Sequence, residues 1–156
     1  MNILHYSSLI DIIKNNKVSI TEINSQYTQL LSSLTKTERL SNDFFVKKVE
    51  EISTMGEIFV CYFLDNRHKI NIIGSGTIIY EPKIIHGGKY VGHIEDIIVS
   101  EQNRNKGIAR SILTELKKLA YRKDCYKIIL DCSEENRGFY EKNDFIYKGV
   151  QMAVYF

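Results

Sequence analysis

The chain has 156 residues, 44% of them hydrophobic, which suits one domain over residues 1–156 with a substantial core. Its 21 basic and 19 acidic residues leave a net charge of +2, too near neutral to suggest nucleic-acid binding. Its apolar runs are strand-length, so no membrane span is expected. From the start, Met1–His5 lacks the charged opening of a secretory leader. Leu9 to Ile13 is apolar and is read as a short strand. Ser19 or Thr21 caps a helix over Glu22 to Leu34, with Ile23, Tyr27, Leu30, Leu31 and Leu34 on one face. Ser41 caps a second helix, Asn42 to Ser53, carrying Phe44, Phe45, Val49 and Ile52. Glu57 to Leu64 reads as a strand and Asp65 to His68 as its hairpin turn. Lys69 to Tyr80 follows as a strand whose Gly74 and Gly76 mark a bulge or a close approach. Pro82 to Lys89 is a loop and Tyr90 to Val99 a strand. A helix spans Gly107 to Arg122, with Ile112, Leu113, Leu116, Leu119 and Ala120 on one face. Tyr126 to Cys132 reads as a buried strand and Glu135 to Asn143 as a short helix. Phe145 to Tyr147 and Val150 to Tyr155 are predicted as closing strands. The pattern is a mixed α/β class, a sheet with helices on its faces and antiparallel hairpins in its first half.

The scattered histidines have no zinc spacing, so no metal is expected. Cys61, Cys125 and Cys132 are odd in number and far apart, which suits reduced thiols and a cytoplasmic setting. The most informative stretch runs from Gly92 to Ala109, from an apolar strand into a polar, basic turn and straight into a helix. Small residues at the helix start let backbone N–H groups approach a ligand, and the positive end of the helix dipole favours a diphosphate. No window supplies the nucleoside-triphosphate loop. The dinucleotide fingerprint fails after Gly74-Ser75-Gly76, where the position it needs is Ile79.

The turn matches the pattern Arg/Gln-x-x-Gly-x-Gly/Ala through Arg104, Gly107 and Ala109. In this it resembles the acetyl-coenzyme A site of the GNAT superfamily of N-acetyltransferases. Further segments narrow the resemblance: Gly92-His93-Ile94-Glu95-Asp96-Ile97, Tyr126 to Cys132, Asn136, and Phe139 to Phe145. Lys83-Ile84-Ile85-His86 and Leu34-Thr35 add to it. Together they are similar to the glucosamine 6-phosphate N-acetyltransferase branch, strongly from about Lys83 to Met152 and poorly before Glu22.

The resemblance implies a GNAT fold: a central, mostly antiparallel mixed sheet flanked by helices. It implies acetyl-CoA as co-substrate, bound by Ile97, Ile98 and Val99, by Arg104, Asn105, Lys106, Gly107, Ile108 and Ala109, and by Asn136 along the pantetheine arm. It implies Asp131 orienting the amine or sugar and Glu95 or Asp96 accepting the amine's proton, directly or through water. The N–H of Ile97 or Ile98 would hold the oxyanion, and Tyr140 would donate a hydrogen bond or a proton to the leaving sulfur. Thr35, Lys83, Ile84, Ile85, His86, Glu95, Asp96, Tyr126 and Lys127 would bind the sugar phosphate. The resemblance also implies a homodimer.

Plainer readings exist for single residues. Asp131 could cap the next helix, Glu95 and Asp96 could line a solvated strand edge, and Tyr140 could be a core tyrosine. Lys127 alternates like an exposed strand residue, Cys132 reads as a small core residue, and His93 as structural. The family carries an arginine three residues past the methionine matching Met152, reaching the phosphate from the partner subunit; here that position is Tyr155. Tyrosine offers a hydroxyl but neither charge nor fork. Rival functions are acetylation of another amine, such as a protein lysine or polyamine, and a coenzyme-binding module without catalysis.

Overall fold

The computed structural model describes residues 3–15 and 17–156. Five strands form one sheet in the order β1-β2-β3-β4-β5. They are β1 Leu4–Ser8, β2 Gly56–Leu64, β3 Ile70–Pro82, β4 Tyr90–Val99 and β5 Cys125–Ile129. β1 to β4 pair antiparallel with their neighbours. β5 joins β4 in parallel, which requires a crossover, supplied by a helix. The helices are α1 Leu9–Ile13, α2 Ile20–Leu31, α3 Asn42–Met55, α4 Ile108–Arg122 and α5 Glu134–Glu141. This is the mixed, mostly antiparallel sheet with flanking helices that the sequence pattern implies.

The two sides of the sheet bury different cores. On one, α1, α2 and α3 set Leu9, Ile12, Ile23, Tyr27, Leu30, Phe45 and Val49 against Ile58, Val60, Ile72 and Ile98. On the other, α4 sets Ile108, Ile112, Leu113 and Leu116 against Ile73, Ile78 and Ile94. Gly74 and Gly76 let α4 settle onto β3: a Cβ at Gly74 would lie 3.0 Å from Ile108 Cγ2, and one at Gly76 2.8 Å from Ile112 Cγ2. The caps follow the sequence, with Ser19 Oγ accepting from the Glu22 N–H and Ser41 Oγ from the Phe44 N–H.

Three elements differ from the sequence reading. Leu9 to Ile13 is a helix, not a strand; Leu9 and Ile12 are buried at helical spacing. The strand lies just before it, in Leu4–Ser8, where the apolar signal is weak and the antiparallel ladder to β2 decides the conformation. β5 is an outer strand rather than a buried one: Lys127 and Ile129 are exposed, and the strand stops at Ile129 instead of Cys132. Neither Phe145 to Tyr147 nor Val150 to Tyr155 forms a strand. A strand needs an edge to pair with, and no described strand of this chain pairs with that segment. Cys132 is exposed, not a core residue.

The α2–α3 loop, which carries Thr35, is held by one buried side chain. Asn24 is fully buried and its Nδ2 donates to the Leu40 carbonyl at 2.9 Å and to Asn42 Oδ1 at 3.0 Å. Asn24→Ala leaves that carbonyl without its donor, and about 2 kcal/mol of stability should be lost. Urea unfolding followed by circular dichroism should show a lower midpoint at an unchanged slope; an unchanged midpoint would dismiss Asn24 as the anchor.

Candidate active site

The site grows from the point where β4 leaves β5. The parallel ladder runs from Tyr90↔Cys125 to His93↔Ile129 and then ends, while β4 continues to Val99. From Ile94 onward, β4 therefore has no strand partner on its β5 side, and a wedge opens between the two strands. β4 also bulges there. Thr77 faces Glu95 and Ser75 faces Ile98, so Asp96 and Ile97 together oppose Gly76. Asp96 takes the positive φ of 52° that the extra residue demands, and aspartate tolerates that region better than most residues. Gly76 makes room for Ile97, whose Cδ1 lies 2.5 Å from where a Cβ would stand.

Below the wedge, the chain passes a short 3₁₀ turn, Glu101–Asn103, and enters α4. Arg104 folds back, its Nε donating to the Val99 carbonyl at 3.3 Å, and Lys106 Nζ donates to Asn103 Oδ1 at 3.0 Å. Asn105 and Gly107 take φ of 60° and 78°. Gly107 is the N-cap of α4, so the helix begins one residue later than the sequence suggests. Nothing lies within 4 Å of a Cβ built on Gly107. That open space stands directly over the first turn of α4, whose N–H groups have no partners within the helix. Ile108 is buried and Ala109 half-buried, so they anchor the turn rather than face outward.

Glu95, Asp96 and Asp131 converge at the mouth of the wedge. Glu95 and Asp96 are exposed; partial desolvation by the surrounding chain raises the Glu95 carboxyl above its usual range, the Asp131 and Asp96 charges add to this, and His93 opposes them. Burial likewise raises the Tyr140 phenol, with Cys132 and Asp131 adding to the shift. Asp131 thus lies close enough for its charge to act on both Glu95 and Tyr140. Tyr140 is half-buried on α5, its ring 5.1 Å from that of Phe139 and 5.8 Å from that of Phe145. Asp131 does not cap α5; the N-cap is Ser133. Asn136 is exposed on the first turn of α5.

The other sequence-predicted residues form a second group at the far end of the β4–β5 ladder. The His86 ring stands 4.0 Å from that of Tyr126, and Lys127 Nζ lies 5.5 Å from the Tyr126 ring. Ile84 and Ile85 are exposed, and Lys83 is half-buried and paired with Glu81. Lys127 pairs with Val91, four residues along β4 from Glu95, roughly 13 Å at the rise of a strand. Thr35 is exposed on the α2–α3 loop. The structure therefore brings together the acidic residues and Tyr140, and it sets the basic residues apart from them.

Two features escaped the sequence. His93 Nε2 lies 2.8 Å from Glu81 Oε2, and Lys83 pairs with the other carboxylate oxygen. Lys83 and His93 together hold the Glu81 carboxyl below its usual range. Under the bulge, the buried Tyr27 hydroxyl lies 3.2 Å from Ser75 Oγ. Burial pushes that phenol up to about 12, the Ser75 hydrogen bond opposing and the Asp96 charge adding. Both pairings join residues far apart in sequence, and only the register of the hairpin or the docking of α2 reveals them. Among the described residues, no group of three His, Cys, Asp or Glu side chains is placed to hold a metal ion.

Residues 22–145 match the Acetyltransferase (GNAT) family. The glucosamine 6-phosphate N-acetyltransferase of Candida albicans is 37% identical over 140 residues, covering 90% of this chain and 93% of its own. Glucosamine 6-phosphate N-acetyltransferase 1 of Dictyostelium discoideum is 34% identical over 150 residues, covering 96% and 95%. The crystal structure of glucosamine-6-phosphate N-acetyltransferase from Arabidopsis thaliana superposes with a TM-score of 0.83 at 29% identity, covering 99% of both chains.

The carboxyl cluster has a direct physical test. Asp131→Asn removes the larger of the two carboxylate charges that raise Glu95. The Glu95 pKa should fall, yet stay above the ordinary value because burial and Asp96 remain. Carbon-detected NMR titration of the Glu95 carboxyl reads this, and an unmoved value would separate the two groups.

Proposed function

The chain belongs to the GNAT acetyltransferase family and to its glucosamine 6-phosphate N-acetyltransferase branch, and on that premise we propose the following reaction. The enzyme transfers the acetyl group of acetyl-CoA to the amine of D-glucosamine 6-phosphate, giving N-acetyl-D-glucosamine 6-phosphate and CoA. The observation that carries this reading is the parting of β4 from β5 just before Glu95, whose carboxyl is raised by the charge of Asp131, which also acts on Tyr140. A base held above the ordinary carboxylate range is better matched to an amine's proton near neutral pH.

The turn from Arg104 to Ala109 cradles the diphosphate with the N–H groups of the first turn of α4, and the open space at Gly107 supports that placement. Ile97 to Val99 and Asn136 flank the pantetheine arm. Asp131 orients the amine and Glu95 accepts its proton, with Asp96 beside it. The amine nitrogen then attacks the thioester carbon directly, in a ternary complex, and no acyl-enzyme forms. The N–H of Ile97 or Ile98 holds the oxyanion. As the carbon–sulfur bond breaks, Tyr140 gives a proton to the thiolate, and the second proton shed by the amine nitrogen returns to Tyr140. Its raised pKa keeps that proton in place at neutral pH.

Lys83, His86, Tyr126 and Lys127, with Thr35, hold the sugar and its phosphate, and Ile84 and Ile85 line the same loop. The distance between this group and Glu95 favours a homodimer, in which a second copy completes each site. Two further observations support it. β5 is the last strand of the sheet, and the segment beyond α5 leaves Val150 82%, Met152 90% and Val154 75% exposed. An exposed apolar segment and an open edge strand both suit pairing between copies. The product would enter UDP-N-acetylglucosamine synthesis in the cytoplasm. One observation favours a second reading: Tyr155 stands where the family carries its phosphate-binding arginine, which fits an acetyltransferase of another amine on the same scaffold.

Tyr140→Phe should lower turnover by about 10- to 1000-fold while both Michaelis constants stay nearly unchanged. Single-turnover assays in which chemistry limits the rate check this, and wild-type turnover there would remove Tyr140 from the mechanism.

Substrate identity is tested by thiol release from acetyl-CoA with glucosamine 6-phosphate, glucosamine and a histone-tail peptide. Glucosamine 6-phosphate should be much the best, because charge-assisted contacts to phosphate are among the stronger polar interactions. Tyr155→Arg should lower its Michaelis constant or leave it unchanged. Equal efficiency on both sugars would move the assignment to another amine.

A further inference from the structure

We infer that His93, held by Glu81, is the outlet through which the amine's proton leaves Glu95. The inference rests on Glu95 as the proton acceptor proposed above. The need for an outlet follows from the proton balance. An ammonium brings three protons to the site. The amide keeps one and the thiol takes one, so one must reach solvent in every turnover. Glu95 is exposed in the free chain, but the amine and the coenzyme must cover it while it takes the proton, so its direct path to solvent closes during turnover.

His93 is placed to take it. The β3–β4 register runs unbroken from Ile79↔His93 through Ile78↔Ile94 to Thr77↔Glu95. His93 and Glu95 therefore share one face of β4, two residues and roughly 7 Å apart, a span that one water bridges. On its other side, His93 Nε2 lies 2.8 Å from Glu81 Oε2. A carboxylate there fixes the Nε2–H tautomer and leaves Nδ1 as the acceptor. The imidazole side chain is 33% exposed, so it also meets solvent. The charged groups sharing its face are Glu81 on β3, Lys83 after β3, Glu95 on β4, and Lys127 on β5 opposite Val91.

The transfer balances as follows. The Glu95 O–H bond breaks and a bond to His93 Nδ1 forms through the bridging water. Glu81 stabilises the imidazolium by its charge. Nδ1 then gives the proton to solvent, restoring neutral His93 and ionised Glu95. His93 touches no reacting atom; it is a positioning and relay residue.

The test is chemical rescue in weak buffer. His93→Ala should lower turnover by about 10-fold or more, with both Michaelis constants unchanged. Added imidazole should restore turnover in a concentration-dependent way and leave the wild type unaffected. His93→Gln, which keeps a hydrogen bond to Glu81 but cannot shuttle a proton, should behave the same and guards against misfolding of the alanine variant. Glu95→Gln should be inactive with or without imidazole. If Glu95→Gln turns over like the wild type, the assignment of Glu95 falls and the outlet with it. If Glu95→Gln is inactive but both His93 variants keep wild-type turnover, or lose turnover that imidazole does not restore, the outlet alone is overturned.

Discussion

Everything at this site depends on how long β4 stays paired with β5. On its β3 side, β4 is bonded nearly end to end, from Pro82↔Tyr90 to Gly74↔Val99. On its β5 side, the ladder stops after His93. A strand paired on one edge and free on the other presents backbone groups to a ligand without losing its support. The bulge at Asp96 makes that departure permanent, since the extra residue turns the strand locally and increases its twist.

The bulge is built from both faces. On the α4 side, Gly76 leaves room for Ile97. On the α2 side, the hydroxyls of Tyr27, Ser75 and Thr77 lie buried beneath it. A non-glycine residue at positive φ is strained, and such strain persists only where the surroundings enforce it. Here the tight packing of α4 and the buried hydroxyls supply that enforcement. Asp96 and Glu95 are consequently presented from a rigid platform, while the residues expected to meet the sugar sit on exposed loops and an outer strand.

The legible parts of the sequence were the local ones. The caps at Ser19 and Ser41, the β4 strand and the small-residue start of α4 are each written within a few residues. Gly74 and Gly76 announced a close approach, although only the fold shows that α4 makes it. What was hidden is non-local. Leu4–Ser8 becomes a strand because β2 offers it an edge, and the apolar run Leu9–Ile13 becomes a helix because two of its residues must turn inward together. Glu81 and His93 meet through hairpin register, which no spacing rule shows. The segment after α5 has strand-like residues, but pairing is a property of two strands, and none of the described strands pairs with it.

The short parallel ladder has a consequence for folding order. The antiparallel strands β1 to β4 form between neighbours in the chain, whereas β5 must wait for α4 to cross the sheet. Contacts of that kind close late because loop entropy must be overcome first. β5 joins the sheet at four paired positions and, with α5, packs on α4 through Ile128, Phe139 and Tyr140; Asp131 lies between the two elements and Tyr140 on α5. The acceptor Glu95 and the donor Tyr140 thus sit on elements that join the sheet at different stages, and the site is complete only when the last of them has closed.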